Sequence, residues 1–166
     1  MADPILISTW RFGLPANSAG WPYLQKPNGL LDALEQTCIA CELDPGVDSV
    51  GVGGLPDASG EVSLDGAIML SPAQSEGVAY IRNYPHPVSI ARRAMERTPH
   101  KLLVGEGAER FAHEQGFARA KLLSDAARAK WEQWKRTGQT PQIHTYEPRV
   151  DGDRNLPHDT IGVLAI

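Results

Sequence analysis

The run His158-Asp159-Thr160-Ile161-Gly162 carries the residue types most able to do covalent chemistry in this chain. A threonine hydroxyl is a weak nucleophile until a base takes its proton, and one arrangement uses the threonine's own free α-amino group. An α-amine has a pKa of about 8, so much of it is neutral and able to accept a proton at physiological pH. That arrangement requires Thr160 to begin a chain, whereas here it is internal, so the Asp159–Thr160 peptide bond must break first. The neighbouring groups suit that step. The Thr160 hydroxyl attacks the Asp159 carbonyl, the peptide shifts to an ester, and water hydrolyses the ester. The Asp159 carboxylate is placed to act as base, and strain at the scissile bond would assist. Three residues alone are a weak signal, because threonine at a strand start is also ordinary β propensity.

Elements must hold such a residue in place. Thr160 to Ile166 reads as an apolar strand. The polar, proline-punctuated stretch 137–157 before it reads as an irregular linker. Upstream, Ile5 to Trp10 reads as a buried strand, and the breakers between Gly13 and Pro22 leave room for a short irregular helix. Apolar residues at Leu30, Leu31, Leu34, Cys38 and Cys41 keep helical spacing over Leu30 to Leu43. The glycine-rich segment Gly46 to Gly60 and the alternating segment Glu61 to Met69 together predict a hairpin about Pro56 to Gly60. Further strands are expected at Gly77 to Asn83 and Leu102 to Val104. Helices are expected at Pro87 to Glu96, at Gly107 to Gln115 closed by Gly116, and from a Ser124 cap to about Lys135. This order indicates a layered α/β or α+β domain, a class that does not by itself specify a function.

Composition bounds the rest. The 166 residues fit one domain, with 42% hydrophobic and 22% charged residues. A net charge of −4 without a basic stripe argues against nucleic acid or an anionic membrane surface as partner. No apolar stretch has the length of a membrane span, and Met1 to Ile7 lacks the features of a signal peptide. A cytoplasmic location, or a periplasmic or lysosomal one with a leader removed, is therefore expected. Cys38 and Cys41 show CxxC spacing without a second ligand pair, and read as small core residues on one helix face rather than a zinc site or a disulfide. His86, His100, His113 and His144 show no ligand clustering and read as surface or packing residues. Trp131 and Trp134 suggest a carbohydrate platform, but their helical spacing fits packing anchors better. Asp65 reads as a structural residue that satisfies backbone donors in a hairpin.

Taken in order, several segments resemble the glycosylasparaginases, or aspartylglucosaminidases, among the N-terminal nucleophile hydrolases of the asparaginase type 2 family. His158-Asp159-Thr160-Ile161-Gly162 looks like their cleavage junction. Ser8-Thr9-Trp10-Arg11-Phe12 is similar to their opening Thr-Trp-x-Phe strand, and Leu31-Asp32-Ala33-Leu34-Glu35 to their Leu-Asp-Ala-Val-Glu helix. The loop Asp48 to Asp57, the Leu64-Asp65 and Ile68-Met69 block, and Thr98-Pro99-His100 with Leu102 to Gly105 resemble further family segments. Gly66, where alanine is usual, and Leu70-Ser71, in place of an Asp-Gly pair, depart from the pattern.

The resemblance implies a four-layer αββα sandwich and self-cleavage at Asp159–Thr160, with His158 part of the junction. It implies hydrolysis of the amide between N-acetylglucosamine and asparagine, with Thr160 as nucleophile and Trp10 and Phe12 beside the substrate. No metal or organic cofactor is required. Residues 1–136 would be the α-subunit part, 137–157 the linker, and 158–166 the junction and the start of the β-subunit strand. The sequence ends six residues after Thr160, so most of the family's β-subunit site is missing. The expected partners are the glycosylated asparagine, the chain's own β-subunit, and a second αβ unit in a dimer. This stretch alone is expected to be inactive. Two other readings stay open: an isoaspartyl peptidase or L-asparaginase of the same fold, and a non-catalytic α-half acting as an interaction domain.

Overall fold

Period-two burial and helical apolar stripes sort the chain into helices and two small sheets. The computed structural model describes residues 3–138 and 160–166. In chain order the elements are β1 (Leu6–Ser8), α1 (Gly13–Leu24), α2 (Leu30–Glu42), a 3-10 turn (Gly51–Gly53), β2 (Ser63–Ser71), β3 (Gln74–Arg82), α3 (Pro87–Arg97), β4 (Leu102–Val104), α4 (Gly105–Glu114), α5 (Asp125–Thr137) and β5 (Val163–Ala165). The expected mixed α/β class is observed. The linker expectation falls almost wholly outside the described residues, as do His144, His158 and Asp159.

One sheet pairs β1 with β5, antiparallel, in the register Leu6–Ala165, Ile7–Leu164 and Ser8–Val163. The other has the order β2-β3-β4, with β2 and β3 antiparallel and β4 parallel to β3. Helices α3 and α4 cover one face of the second sheet, burying Leu64, Ile68, Val78 and Ile81 with Ile90, Ala91, Ala108 and Ala112. Helices α1 and α2 pack on each other and on the β1–β5 pair. Gly20 makes the close α1–α2 approach possible, since a Cβ there would overlap the Thr37 hydroxyl and the Ala33 carbonyl.

Three expectations are corrected. The strand expected to be buried over Ile5 to Trp10 spans only Leu6–Ser8 and leaves Ile5 and Ile7 46% and 58% exposed, because α1 and α2 cover the other face of its sheet. The segment between Gly13 and Pro22 is a regular helix of twelve residues, not a short irregular one. Pro15 falls in its first turn, where the missing N–H has no intrahelical partner, and Pro22 falls near its end. The expected hairpin between Gly46 to Gly60 and Glu61 to Met69 does not form. Strand β2 pairs with β3 instead, through a tight turn at Pro72-Ala73. The glycines upstream serve close packing. Gly51 has φ +61° and lies against the Glu42 backbone, and Gly53 lies against the Val47 carbonyl. Those contacts fold the segment onto the end of α2 and leave it no extended partner.

The β2–β3 hairpin holds an irregularity between Leu64 and Gly66, opposite Tyr80, which adopts φ +51°. Asp65 Oδ1 accepts the Tyr80 N–H at 2.7 Å, so Asp65 has the backbone-satisfying role expected of it, on this hairpin. Gly66 sits directly under the start of α3, where a Cβ would lie 2.8 Å from Pro87 and Val88 backbone atoms. That contact accounts for glycine at this position. Ser124 Oγ accepts the Ala127 N–H at 3.1 Å and caps α5, and Gly116 ends the α4 segment at φ +82°. Trp131 donates its indole N–H to the Ala58 carbonyl at 3.3 Å and lies against Gly60, while Lys135 sits 4.6 Å from its ring centroid. This is the expected packing anchor.

Glu76, on β3, is 3% exposed, and neither carboxylate oxygen has a hydrogen-bond partner among the described residues. The nearby Gly77 N–H is already committed to the Lys101 carbonyl at 3.1 Å. Burial raises the Glu76 carboxyl above its ordinary 4.5, partly offset by the Gly77 backbone, Lys101 and His100. A carboxyl raised by folding holds its proton more tightly in the folded than in the unfolded state. Stability contributed below pH 4.5 is therefore lost as pH rises toward the folded value. Replacing Glu76 with Gln removes the buried charge. Glu76→Gln is expected to raise Tm at neutral pH by about 2–4 °C, as for a gain of about 1 kcal/mol, and to flatten the decline above pH 4.5. A Tm lowered at neutral pH by the substitution would contradict this account.

Candidate functional site

Thr160 is exposed and precedes β5 by three residues. Its position follows from β1. The Thr9 N–H donates to the Gly162 carbonyl at 2.9 Å, and the Gly162 N–H donates to Thr9 Oγ1 at 2.9 Å. The side-chain bond continues the strand pairing one step past the ladder and orders Gly162. Gly13, at the start of α1, leaves room for Ser8 and Ile161, since a Cβ there would overlap the Ser8 side chain and lie 3.1 Å from Ile161 Cδ1. Strand β1 and the start of α1 thus hold the segment that Thr160 heads.

Thr160 and Ile161 line a cleft of about 480 Å³. Its walls come from four places: Cys38 and Glu42 at the end of α2, Ser49 to Gly51 in the loop that follows, Ser63 to Ala67 on β2, and Pro87 with Val88 at the start of α3. The hydroxyl-bearing residues Thr160, Ser49 and Ser63 and the acidic residues Glu42 and Asp65 therefore line one concavity. This is the general form of a small-molecule site, in which a few polar groups converge within a shaped pocket. Trp10 and Phe12 do not line this cleft. They lie at the junction of β1 and α1, where Trp10 is 39% exposed and adopts φ +62°, and its carbonyl accepts the Gly13 N–H at 3.2 Å. A left-handed tryptophan is a costly backbone state that its surroundings must enforce.

Glu42 is the residue that spacing could not reveal. Its side chain is 6% exposed, and Oε2 lies 2.8 Å from His86 Nδ1. Burial raises the Glu42 carboxyl, while hydrogen bonding and charge from His86 and the Val88 N–H work in the opposite direction. His86 is thus neither an isolated surface residue nor a packing residue only. The one sequence signal for this pair was Pro87, which marks a helix start next to a histidine.

Cys38 and Cys41 are free thiols at the end of α2. Burial, followed by the Glu42 charge, pushes Cys38 up to about 12 from 9.0, and the same two effects push Cys41 up to about 11. No group of three or more His, Cys, Asp or Glu residues is arranged to hold a metal ion among the described residues. No described helix is long and apolar enough to cross a membrane.

A family model described as asparaginase matches residues 14–166. The chain is 42% identical to an N(4)-(β-N-acetylglucosaminyl)-L-asparaginase of Elizabethkingia miricola, over 98% of this chain and 45% of that protein. It is 37% identical to a mouse protein of the same name, over 79% of this chain and 38% of that protein. A putative Drosophila persimilis protein of that name is 32% identical, over 98% of this chain and 50% of its own. The chain spans about half the length of the curated relatives it matches.

The raised thiols make a direct prediction, because only the thiolate is nucleophilic. At pH 8 under native conditions, Cys38 and Cys41 are expected to resist iodoacetamide for far longer than a peptide thiol, and to react once the chain is unfolded. Mass spectrometry showing prompt alkylation of either native cysteine at pH 8 would contradict the environment described.

Proposed function

This chain belongs to the asparaginase family, and we propose that it is the amino-terminal half of a glycosylasparaginase that splits itself at Asp159–Thr160. The observation that carries the reading is the placement of Thr160, at the head of a strand held by β1 and facing a cleft with convergent polar walls. The names of the relatives supply the substrate: the amide joining N-acetylglucosamine to the asparagine side chain.

In this reading the Thr160 hydroxyl first attacks the Asp159 carbonyl. The resulting ester is hydrolysed, and Thr160 is left with a free α-amine. That amine then takes the hydroxyl proton as the oxygen attacks the substrate's amide carbonyl. The nitrogen leaves with the sugar and a proton, and an aspartyl ester remains on Thr160. Water cleaves the ester to aspartate and restores the hydroxyl. The sequence of steps calls for no metal or organic cofactor. Trp10 and Phe12, at the β1–α1 junction outside the cleft that Thr160 lines, would meet only a part of the substrate that extends beyond that cleft, and His158 and Asp159 are assigned to the self-cleavage step.

The four-layer sandwich belongs to the same proposal. Ile5, Ile7, Leu164 and Ile166 share one face of the β1–β5 pair and are 46–73% exposed. Met69, Leu102 and Val104 share one face of the second sheet and are 52–60% exposed. Each sheet therefore has one face covered by helices and one apolar face open. Contiguous apolar surface of this kind calls for burial. A β-subunit supplying further strands would cover both faces, and a dimer of αβ units would follow.

The test uses the whole protein. The wild type is expected to convert to two chains, the second beginning at Thr160, and then to release the sugar amine from glycosylasparagine in preference to β-aspartyl dipeptides or asparagine. Thr160→Ala is expected to stay intact and to lose activity by about 10⁴-fold or more. A wild type that remains one chain after prolonged incubation contradicts the reading. Preference for β-aspartyl dipeptides or asparagine would move the assignment to the isoaspartyl peptidase or asparaginase branch.

A further inference from the structure

Three walls of the Thr160 cleft meet at one residue, one of them on its backbone and one on its side chain. Glu42 ends α2. Gly51, in the loop that forms the second wall, packs on the Glu42 backbone at a left-handed φ that glycine adopts without strain. Helix α3, whose first residues form the third wall, begins at Pro87 after His86, and no side chain at the His86 N-cap position bonds back to it. The Glu42 carboxylate fills that role from another helix. It faces the Val88 N–H and pairs with His86 Nδ1 at 2.8 Å. A carboxylate at a helix start satisfies an otherwise unpaired N–H and meets the positive end of the helix dipole.

We propose that Glu42, held by His86 and capping α3 from α2, is a positioning residue that sets the separation of the cleft walls facing Thr160. The inference rests on the reading of Thr160 as the self-cleaving nucleophile. The chemistry gives it a reason: attack on a neighbouring carbonyl needs the reacting atoms held about 3–3.5 Å apart, and a displacement of about 1 Å can cost about 100-fold in rate. The Glu42 side chain is buried beside the cleft, so its loss would free the α3 start to move away from α2, while the Gly51 loop stays packed on the Glu42 backbone.

Helices α2 and α3 are joined a second time, away from the cleft. Arg92 on α3 pairs with Asp32 and Glu35 of α2, both at 2.6 Å, and with Glu96 at 3.0 Å. This second joint provides a control that weakens the same helix contact without touching the cleft. The experiment compares Glu42→Ala, Glu42→Gln, His86→Asn and Arg92→Ala in the whole protein, measuring Tm, first-order conversion at Thr160, and amide hydrogen exchange at Val88. Glu42→Ala is expected to slow conversion by about 10–100-fold and to speed exchange at Val88. Glu42→Gln keeps an acceptor for Val88 and His86→Asn keeps a donor for Glu42, so both are expected to recover most of the rate. Arg92→Ala is expected to lower Tm without slowing conversion or exposing the Val88 amide. Equal slowing in Glu42→Ala and Arg92→Ala at equal loss of Tm would overturn the proposal. So would unchanged Val88 exchange in Glu42→Ala, a result readable even if the wild type never cleaves. Failure of the wild type to cleave would instead overturn the function assigned to Thr160, and the exchange data would still decide the role of Glu42.

Discussion

The pairing of β1 with β5 is the constraint on which the site depends. Thr9 and Gly162 are 153 positions apart, yet they exchange backbone and side-chain hydrogen bonds at 2.9 Å. Without that contact the segment headed by Thr160 has no fixed direction, and the cleft loses the Thr160 hydroxyl that the proposed chemistry needs. Closing so long a loop costs conformational entropy, which the ladder, the Thr9 hydroxyl and packing against α1 and α2 must offset together. The same pairing gives the β1–β5 sheet its open apolar face.

The cleft is built by a second set of contacts that hardly overlaps the first. Glu42 links the end of α2 to the start of α3 and to the loop at Gly51, while Arg92 ties the same helices at a distance. Gly66 lets α3 approach β2 closely. One assembly places the hydroxyl, and the other shapes the space it faces. The seating of the Thr160 hydroxyl and the size of the cavity can therefore be tested separately.

Much of this was readable in the residues. The helical spacing from Leu30, the Ser124 cap and the Gly116 stop all act locally, and all were found where local rules place them. Thr160 was singled out as a candidate because a threonine, an acidic neighbour and a linker-to-strand boundary coincide in a few residues, and the structure places it on the cleft. The expected hairpin failed because glycines serve two purposes. Gly51 and Gly53 admit close backbone packing here rather than a turn, while the true turn at Pro72-Ala73 carries no glycine to announce it. The Glu42–His86 pair was not readable because its members are 44 residues apart and meet only through the packing of two helices. The Thr9 hydroxyl was within a recognised segment, but its partner is fixed by strand register, which spacing does not supply.

The most direct test of the central claim is a nuclear Overhauser spectrum of the uncleaved Thr160→Ala protein. Cross-strand contacts between Thr9 and Gly162 and between Ile7 and Leu164, together with a protected Gly162 amide, are the predicted result. Absence of those contacts, with the Gly162 amide exchanging at the rate of a free peptide, would show that β1 does not seat the strand Thr160 precedes and would contradict the account.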